Sequence, residues 1–116
     1  MYAYHKGNKY GNRKVTIFGI TFDSKHEAQR YLELVSMQRA GLISDLRIQV
    51  PYEVIPPIKD DISGRTIQRG TTYVADFVYW DGHDYIVEDA KGVRTDAYKL
   101  KKKLMLWRHG ILIREV

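Results

Sequence analysis

Residues 72–91 read TYVADFVYWDGHDYIVEDAK, and this stretch decides the fold. It contains two runs rich in β-branched and aromatic residues, separated by the polar segment 81–84. An Asp-Gly pair between two such runs is a strong signal for a β-hairpin. We therefore predict two antiparallel strands joined by a tight connection.

The register of this hairpin determines which side chains meet. A loop of two or four residues centred on residues 82–83 pairs Trp80 with Tyr85, and the same register sets Asp76 against Asp89. Because alternate strand residues share a face, one predicted face carries the following side chains: Thr72, Val74, Asp76, Val78 and Trp80 on the first strand, and Tyr85, Val87, Asp89 and Lys91 on the second.

A second register is compatible with the same residues. A two-residue turn at residues 81–82 pairs Trp80 with His83, and it leaves Asp89 as a diagonal neighbour of Asp76. The two acids still lie close together in this arrangement, but less tightly.

The pairing of the two acids has a chemical consequence. Carboxylates directly opposite each other on a sheet lie about 5 Å apart at Cβ and repel, so Asp76 and Asp89 require a cation or a shared proton. Carboxylate oxygens suit a hard ion such as Mg²⁺, which also binds phosphate. With Lys91 on the same face, these groups fit the attack of an activated water on a phosphodiester. A strand-end aspartate that is merely solvated is the structural alternative.

Length and composition favour one intracellular domain with a polyanionic partner. The chain has 116 residues, no cysteine and a net charge of +5. Disulfides and thiolate metal sites are thus excluded, and no apolar run approaches the roughly 18 residues of a membrane span. The N-terminus lacks the apolar core of a secretion signal. We expect a cytoplasmic protein that binds nucleic acid.

The first half of the chain predicts a basic arm, a small hairpin or a bulged strand, and a helix. Residues 1–14 form the arm and residues 15–116 the single domain. Residues 15–22 are β-rich and broken by Gly19. Ser24 followed by Glu27 is a capping box that opens a helix, with a predicted apolar stripe of Ala28, Tyr31, Leu32 and Val35.

The second half predicts a strand at residues 42–55, with Pro51 at a sheet edge or bulge, and a polar loop at residues 59–70. Thr95 can cap a second helix over residues 96–109, with Ala97, Leu100, Leu104 and Trp107 as its buried stripe. The basic residues of these segments are candidate nucleic-acid contacts, although solvated charges are the commoner case: Lys6, Lys9, Arg13, Lys14, Arg65, Arg69, Lys99, Lys102 and Lys103. The spacing of His5, His26, His83 and His109 does not resemble a zinc site.

An aspartate on one strand, an Asp-x-Lys on the next and a preceding acidic helix resemble the PD-(D/E)XK nuclease superfamily. The matching residues are Ala75-Asp76, Asp89-Ala90-Lys91 and Glu27. The run from Lys9 through the segment 19–24 to Gly92 is also similar to a family of small phage-encoded proteins of that superfamily. This resemblance implies a restriction-endonuclease-like α/β fold, in which a central mixed β-sheet is flanked by two main helices.

The resemblance also implies roles for individual residues. Asp76, Asp89, the Ala90 carbonyl and Glu27 would hold Mg²⁺ or Mn²⁺, and Lys91 would orient or deprotonate the attacking water. The capping box alone explains Glu27, and a carboxylate bound to its own helix start is turned away from a distant ion, so the two roles are hard to combine. Gln49 is an auxiliary candidate. Glu88 points to the opposite face and is left out of the site.

These observations predict a metal-dependent DNA endonuclease. A chain of this size is expected to recognise DNA structure, such as branches and Holliday junctions, as a homodimer in phage recombination, replication or packaging within the bacterial cytoplasm. The alternative is a non-catalytic DNA-binding accessory protein of a phage complex, and a further rival is a protein-interaction subunit in which the acid pair is a relic.

Overall fold

The hairpin predicted around residues 81–84 lies at the centre of the sheet in the computed structural model, which describes residues 13–90 and 93–116. Strand β6 (Thr71–Trp80) runs antiparallel to strand β7 (Tyr85–Asp89), and Trp80 pairs with Tyr85. The connection has four residues, and Asp81 Oδ1 accepts the N–H groups of the third and fourth at 2.8 Å each. The first predicted register is therefore confirmed, and the alternative turn is wrong.

Four strands form a mixed sheet in the order β3, β6, β7, β8. Strand β3 (Ser44–Ile55) is an edge strand antiparallel to β6, and the short strand β8 (Arg114–Glu115) runs parallel to β7. Pro51 lies exposed on β3, where an edge tolerates a missing N–H. Two helices accompany this sheet, which confirms the predicted mixed α/β fold.

Helix α1 (Lys25–Arg39) follows a small hairpin of strands β1 (Val15–Ile17) and β2 (Ile20–Phe22). Ser24 Oγ accepts the N–H of Glu27 at 3.1 Å, as predicted for the cap. The helix packs on one side of the sheet through a set that we call the α1-side core: Phe22, Ala28, Leu34, Ile43, Phe77 and Tyr79. Leu32, predicted to be buried, is 44% exposed, and Leu34 is the buried leucine instead.

Helix α2 (Asp96–His109) covers the other side of the sheet. This follows because, along β6 and β7, the buried residues of its core alternate with those of the α1-side core. Its contacts belong to the α2-side core: Val54, Tyr73, Ala75, Val78, Val87, Tyr98, Met105 and Ile113. Of the predicted buried stripe of α2, Leu104 is half-buried against this core, whereas the prediction is wrong for Leu100 and Trp107, which are 53% and 77% exposed. Tyr98 turns inward instead, where it contacts the Tyr73 ring and donates to Glu115 at 2.8 Å.

Near Gln49, strands β3 and β6 each change which of their two faces packs against the α1-side core. On β3, Ile48 packs against the α1-side core and Val50 against the α2-side core, although both have the same strand parity. On β6, Phe77 and Ala75 differ in the same way. Gln49 has a left-handed φ of 52°, and the pairing between the strands skips it. The predicted alternation of side chains between the two faces of the sheet is therefore regular before Gln49 and after it, but is interrupted at Gln49 itself.

The polar segment 59–70, predicted to be a loop, contains most of a third hairpin. Strands β4 (Ile58–Lys59) and β5 (Thr66–Gln68) pair with each other and are exposed throughout. Asp60 Oδ2 accepts the N–H groups of two following residues at 3.2 and 2.7 Å, which closes the turn. No helix in the described part of the chain is long and apolar enough to cross a membrane.

Candidate functional site

Asp76 and Asp89 meet at the end of the β6–β7 ladder. The last recorded pair is Phe77 with Glu88, so the next position of this register places Asp76 opposite Asp89. Asp76 Oδ2 accepts the backbone N–H of Ala90 at 2.8 Å, which holds its carboxyl at the point where β7 ends. Asp89 is 1% exposed. The hairpin thus brings together the two acids that the sequence pointed to.

Tyr73 orients the buried carboxyl of Asp89. Its hydroxyl donates to Asp89 Oδ2 at 2.5 Å, and its ring packs 6.5 Å from the ring of Tyr98. Burial, followed by the hydrogen bond to Asp89, raises the pKa of Tyr73 above its usual value, so the phenol remains a donor. The sequence analysis did not identify Tyr73, because a regular strand would place it on the face opposite Asp76.

Glu27 makes two side-chain hydrogen bonds, one at the start of α1 and one to β3. Its Oε1 accepts the backbone N–H of Asp23 at 3.1 Å, just before the helix cap, and its Oε2 accepts Nε2 of Gln49 at 3.0 Å. The carboxylate is only 4% exposed. One oxygen therefore stabilises the start of α1 while the other is directed toward β3, so the helix cap does not turn Glu27 away from the sheet.

Gln49 on β3 lies directly opposite Asp76 on the neighbouring strand β6. The ladder pairs Ile48 with Phe77 and Val50 with Ala75, which leaves these two side chains at the same level. The left-handed backbone at Gln49 coincides with the point at which its amide reaches Glu27. The auxiliary residue proposed from the sequence is therefore close to the acidic residues.

The three acids interact electrostatically. Burial raises the pKa of Asp76 to about 8, and the charge of Asp89 and then that of Glu27 act in the same direction. The N–H of Ala90 opposes this shift, and a hydrogen bond with Asp89 adds to it. None of the described groups that shift this pKa is a cation. The site therefore concentrates negative charge, which a proton or a metal ion would neutralise.

The donor set determines which metal ion would fit. Within residues 13–90 and 93–116, no three histidine, aspartate or glutamate side chains are arranged to hold a metal ion together. Glu27 already accepts two hydrogen bonds, so the carboxylates of Asp76 and Asp89 are the direct candidates. Two carboxylates completed by water and phosphate oxygens match the preference of Mg²⁺, which retains several waters in proteins.

Glu88 belongs to the other face of the sheet, as predicted. It is fully buried, and the Arg30 guanidinium binds it through Nε at 2.9 Å and a terminal nitrogen at 2.7 Å. Tyr79 donates a short hydrogen bond to the same carboxylate. These contacts raise the pKa of Arg30, and Glu88 serves as an internal counterion that links α1 to the sheet.

The basic candidates lie in several parts of the chain. Lys91, Lys6 and Lys9 are outside the described residues. Lys102 is half-buried and binds Glu115 Oε2 at 2.9 Å, so it is held inside the fold. Lys14 lies 3.5 Å from Asp23. The remaining candidates are exposed: Arg13, Arg65, Arg69, Lys99 and Lys103.

Within the described residues, the side chains of two histidines make structural contacts, and no histidine belongs to a group of side chains that could hold a metal ion. His26 Nε2 lies 2.7 Å from the backbone oxygen of Val116, and His109 Nε2 lies 2.7 Å from that of Glu53. His83 is in the hairpin connection, and His5 lies outside the described residues.

Comparison with known proteins gives one match. Residues 7–113 match a family model described as "Protein of unknown function (DUF1064)". No curated protein and no solved structure matches the chain. The family match covers the hairpin with its acids, both helices and nearly all of the sheet.

Proposed function

We propose that this chain, which belongs to the DUF1064 family, is a metal-dependent endonuclease that hydrolyses DNA phosphodiesters. The observation that carries the proposal is the contact between half-buried Asp76 and fully buried Asp89, at the end of the β6–β7 ladder. Two like charges in this position destabilise the fold unless something compensates for them. Such an arrangement is typical of a site built to bind a cation.

Asp76 and Asp89 would hold Mg²⁺ or Mn²⁺, with the Ala90 carbonyl as a further oxygen ligand. The ion would supply an activated water and neutralise charge on the scissile phosphate. Tyr73 fixes the carboxyl of Asp89, and Gln49 fixes that of Glu27. Lys91, two residues after Asp89 in the sequence, is assigned to orient the attacking water.

DNA is the proposed substrate because the chain carries a net charge of +5 and exposes several arginines and lysines. Branched DNA, including Holliday junctions, is the specific proposal, together with a homodimer that presents two sites to two strands. The cellular setting carried over from the resemblance is phage recombination, replication or packaging in a bacterial host.

The test is a cleavage assay on labelled four-way junctions, splayed, single-stranded and linear duplex DNA with Mg²⁺ or Mn²⁺. We expect cleavage that requires the metal and is lost in Asp76→Asn, Asp89→Asn and Lys91→Ala. Asp84→Asn is the matched control, because it removes an exposed carboxylate from the other end of the same hairpin. Binding to DNA without cleavage of any substrate would overturn the proposal and favour the non-catalytic accessory protein.

A further inference from the structure

Helix α2 carries an apolar stripe beside the side that it packs against the sheet, and one member of the stripe, Leu104, packs in part against the α2-side core. Its members are Ala97, Leu100, Leu104 and Trp107, which follow each other at intervals of three, four and three residues. Trp107 is 77% exposed and Leu100 is 53% exposed, whereas Leu104 is half-buried. This spacing is that of the a and d positions of a coiled coil.

We propose that this stripe docks an acidic amphipathic helix of another protein, a role that goes beyond phosphodiester cleavage and does not depend on it. Coiled-coil partners bury their a and d residues against each other, and the flanking e and g positions select the partner by charge. In α2 the flanking positions are Asp96, Lys101, Lys103 and Arg108, of which three are cationic. Arg108 already pairs with Glu53 at 2.9 Å, so Lys101 and Lys103 are the cations left for a partner. Glutamates at the matching positions of a partner would complement them.

Charge argues against a second copy of this chain as the occupant. In an antiparallel pair of α2 helices, e positions face e positions and g positions face g positions, so Lys101 and Lys103 would each approach their own counterparts. In a parallel pair, Lys103 would face Arg108 of the second copy. Like charges at these positions disfavour pairing. The stripe is therefore apolar enough to bind a helix, yet its borders disfavour its own copy.

The position and chemistry of the stripe also favour protein over DNA. Tyr98 and Met105, which are buried, mark the side of α2 that faces the sheet and Asp89, and Trp107 lies on the opposite side. Leu100 and Leu104 offer neither hydrogen bonds to phosphate nor rings that stack on bases, so within the stripe only Trp107 could stack on a base. A contiguous apolar surface bordered by cations suits a helix with an acidic border.

The experiment uses the full chain and a fluorescein-labelled designed peptide about three heptads long, with Leu at a and d and Glu at e and g. Fluorescence anisotropy at about 0.15 M salt measures binding without relying on surface charge alone. We expect Leu100→Asp to weaken binding by about tenfold or more. The double variant Lys101→Glu, Lys103→Glu should also lose binding and should bind a peptide flanked by Lys instead.

Leu106→Asp is the matched control, because Leu106 is 50% exposed on α2 but outside the stripe. It should bind like the unaltered chain, and a peptide with Ser at a and d should not bind. Equal binding of the Leu and Ser peptides would overturn the proposal in favour of simple charge attraction. Absence of peptide binding would also overturn the proposal. If Leu100→Asp abolished self-association of the chain, the stripe would be assigned to a second copy, and if it abolished DNA binding, the stripe would be assigned to nucleic acid; either result would overturn the proposal.

Discussion

The amide of Gln49 donates to one oxygen of Glu27 at 3.0 Å while the other oxygen of Glu27 accepts the backbone N–H of Asp23. This pair connects the start of α1 to the edge strand at the level of Asp76. Both oxygens of a buried carboxylate are thereby satisfied, which offsets the free-energy cost of removing it from water. The same contact keeps a negative charge close enough to raise the pKa of Asp76.

Substitutions of Glu27 separate its two roles. Glu27→Gln retains an oxygen for the N–H of Asp23 and removes the charge, and its NH₂ can donate to the oxygen of Gln49 once that amide turns over. We therefore expect the free energy of unfolding at pH 7 to stay within about 0.5 kcal/mol or to rise. Glu27→Ala loses the cap and leaves Gln49 without its acceptor, which should cost about 1–2 kcal/mol. Urea denaturation measures both variants.

Cleavage assays on the same two variants complete this test. If Glu27 contributes its charge to the metal shell, Glu27→Gln should cut DNA far more slowly despite its intact fold. Full activity in Glu27→Gln would show that Glu27 acts only on the fold.

Mg²⁺ should stabilise the protein through Asp76 and Asp89. A ligand that binds only the folded state at about 100 times its Kd adds about 2.7 kcal/mol, so Tm should rise in a thermal scan. In Asp76→Asn, one of two repelling carboxylates is gone. Above about pH 8, where Asp76 loses its proton, this variant should melt higher than the unaltered chain in a chelator, and it should not respond to Mg²⁺. Asp84→Asn should respond like the unaltered chain, and an equal Mg²⁺ response in Asp76→Asn would contradict the assignment.

The central hairpin could be predicted because its signals are local. The Asp-Gly turn and the two β-rich runs lie within about twenty residues, and the pairing of Trp80 with Tyr85 follows from the loop length alone. The helix caps at Ser24 and Thr95 are local for the same reason.

The orientation of α2 depends on tertiary contacts and could not be predicted. Both the stripe through Trp107 and the one through Tyr98 have helical spacing. The choice between them is made by Tyr73 and Glu115, which contact Tyr98 in the fold but are distant from it in the sequence. The left-handed backbone of Gln49 likewise has no sequence signal, because this conformation is rare outside glycine and asparagine.

The buried ion pair of Arg30 and Glu88 should be the most sensitive interaction on the α1 side. Arg30→Ala leaves Glu88 charged and fully buried, which should cost about 3–5 kcal/mol. Replacing both residues by Met removes the uncompensated charge, so the double variant should be more stable than Arg30→Ala. Denaturation of Arg30→Met, Glu88→Met and the double Met variant measures this coupling. A double variant as unstable as the sum of both single variants would show that the two residues act independently.

Glu115 should make stability depend on pH in acid. Its carboxylate binds Lys102 at 2.9 Å, accepts from Tyr98 at 2.8 Å and pairs with Arg94, and the hydrogen bond from Lys102 is the largest cause that lowers its pKa to about 2. Because the folded-state pKa lies below the ordinary value of 4.5, this stabilisation is complete above pH 4.5 and is lost as the pH falls toward 2.

Glu115→Gln should therefore lower the free energy of unfolding at pH 7, and its difference from the unaltered chain should shrink between pH 4.5 and pH 2. Urea denaturation across this range measures the difference, with Asp84→Asn as a control that removes an exposed carboxylate. The variant loses the negative charge that pairs with Lys102 and Arg94, but it keeps an oxygen that accepts from Tyr98. The pH-dependent part of the difference in free energy of unfolding therefore reports the ion pairs. A difference that stays constant from pH 7 to pH 2 would mean that Glu115 acts through packing and hydrogen bonding alone.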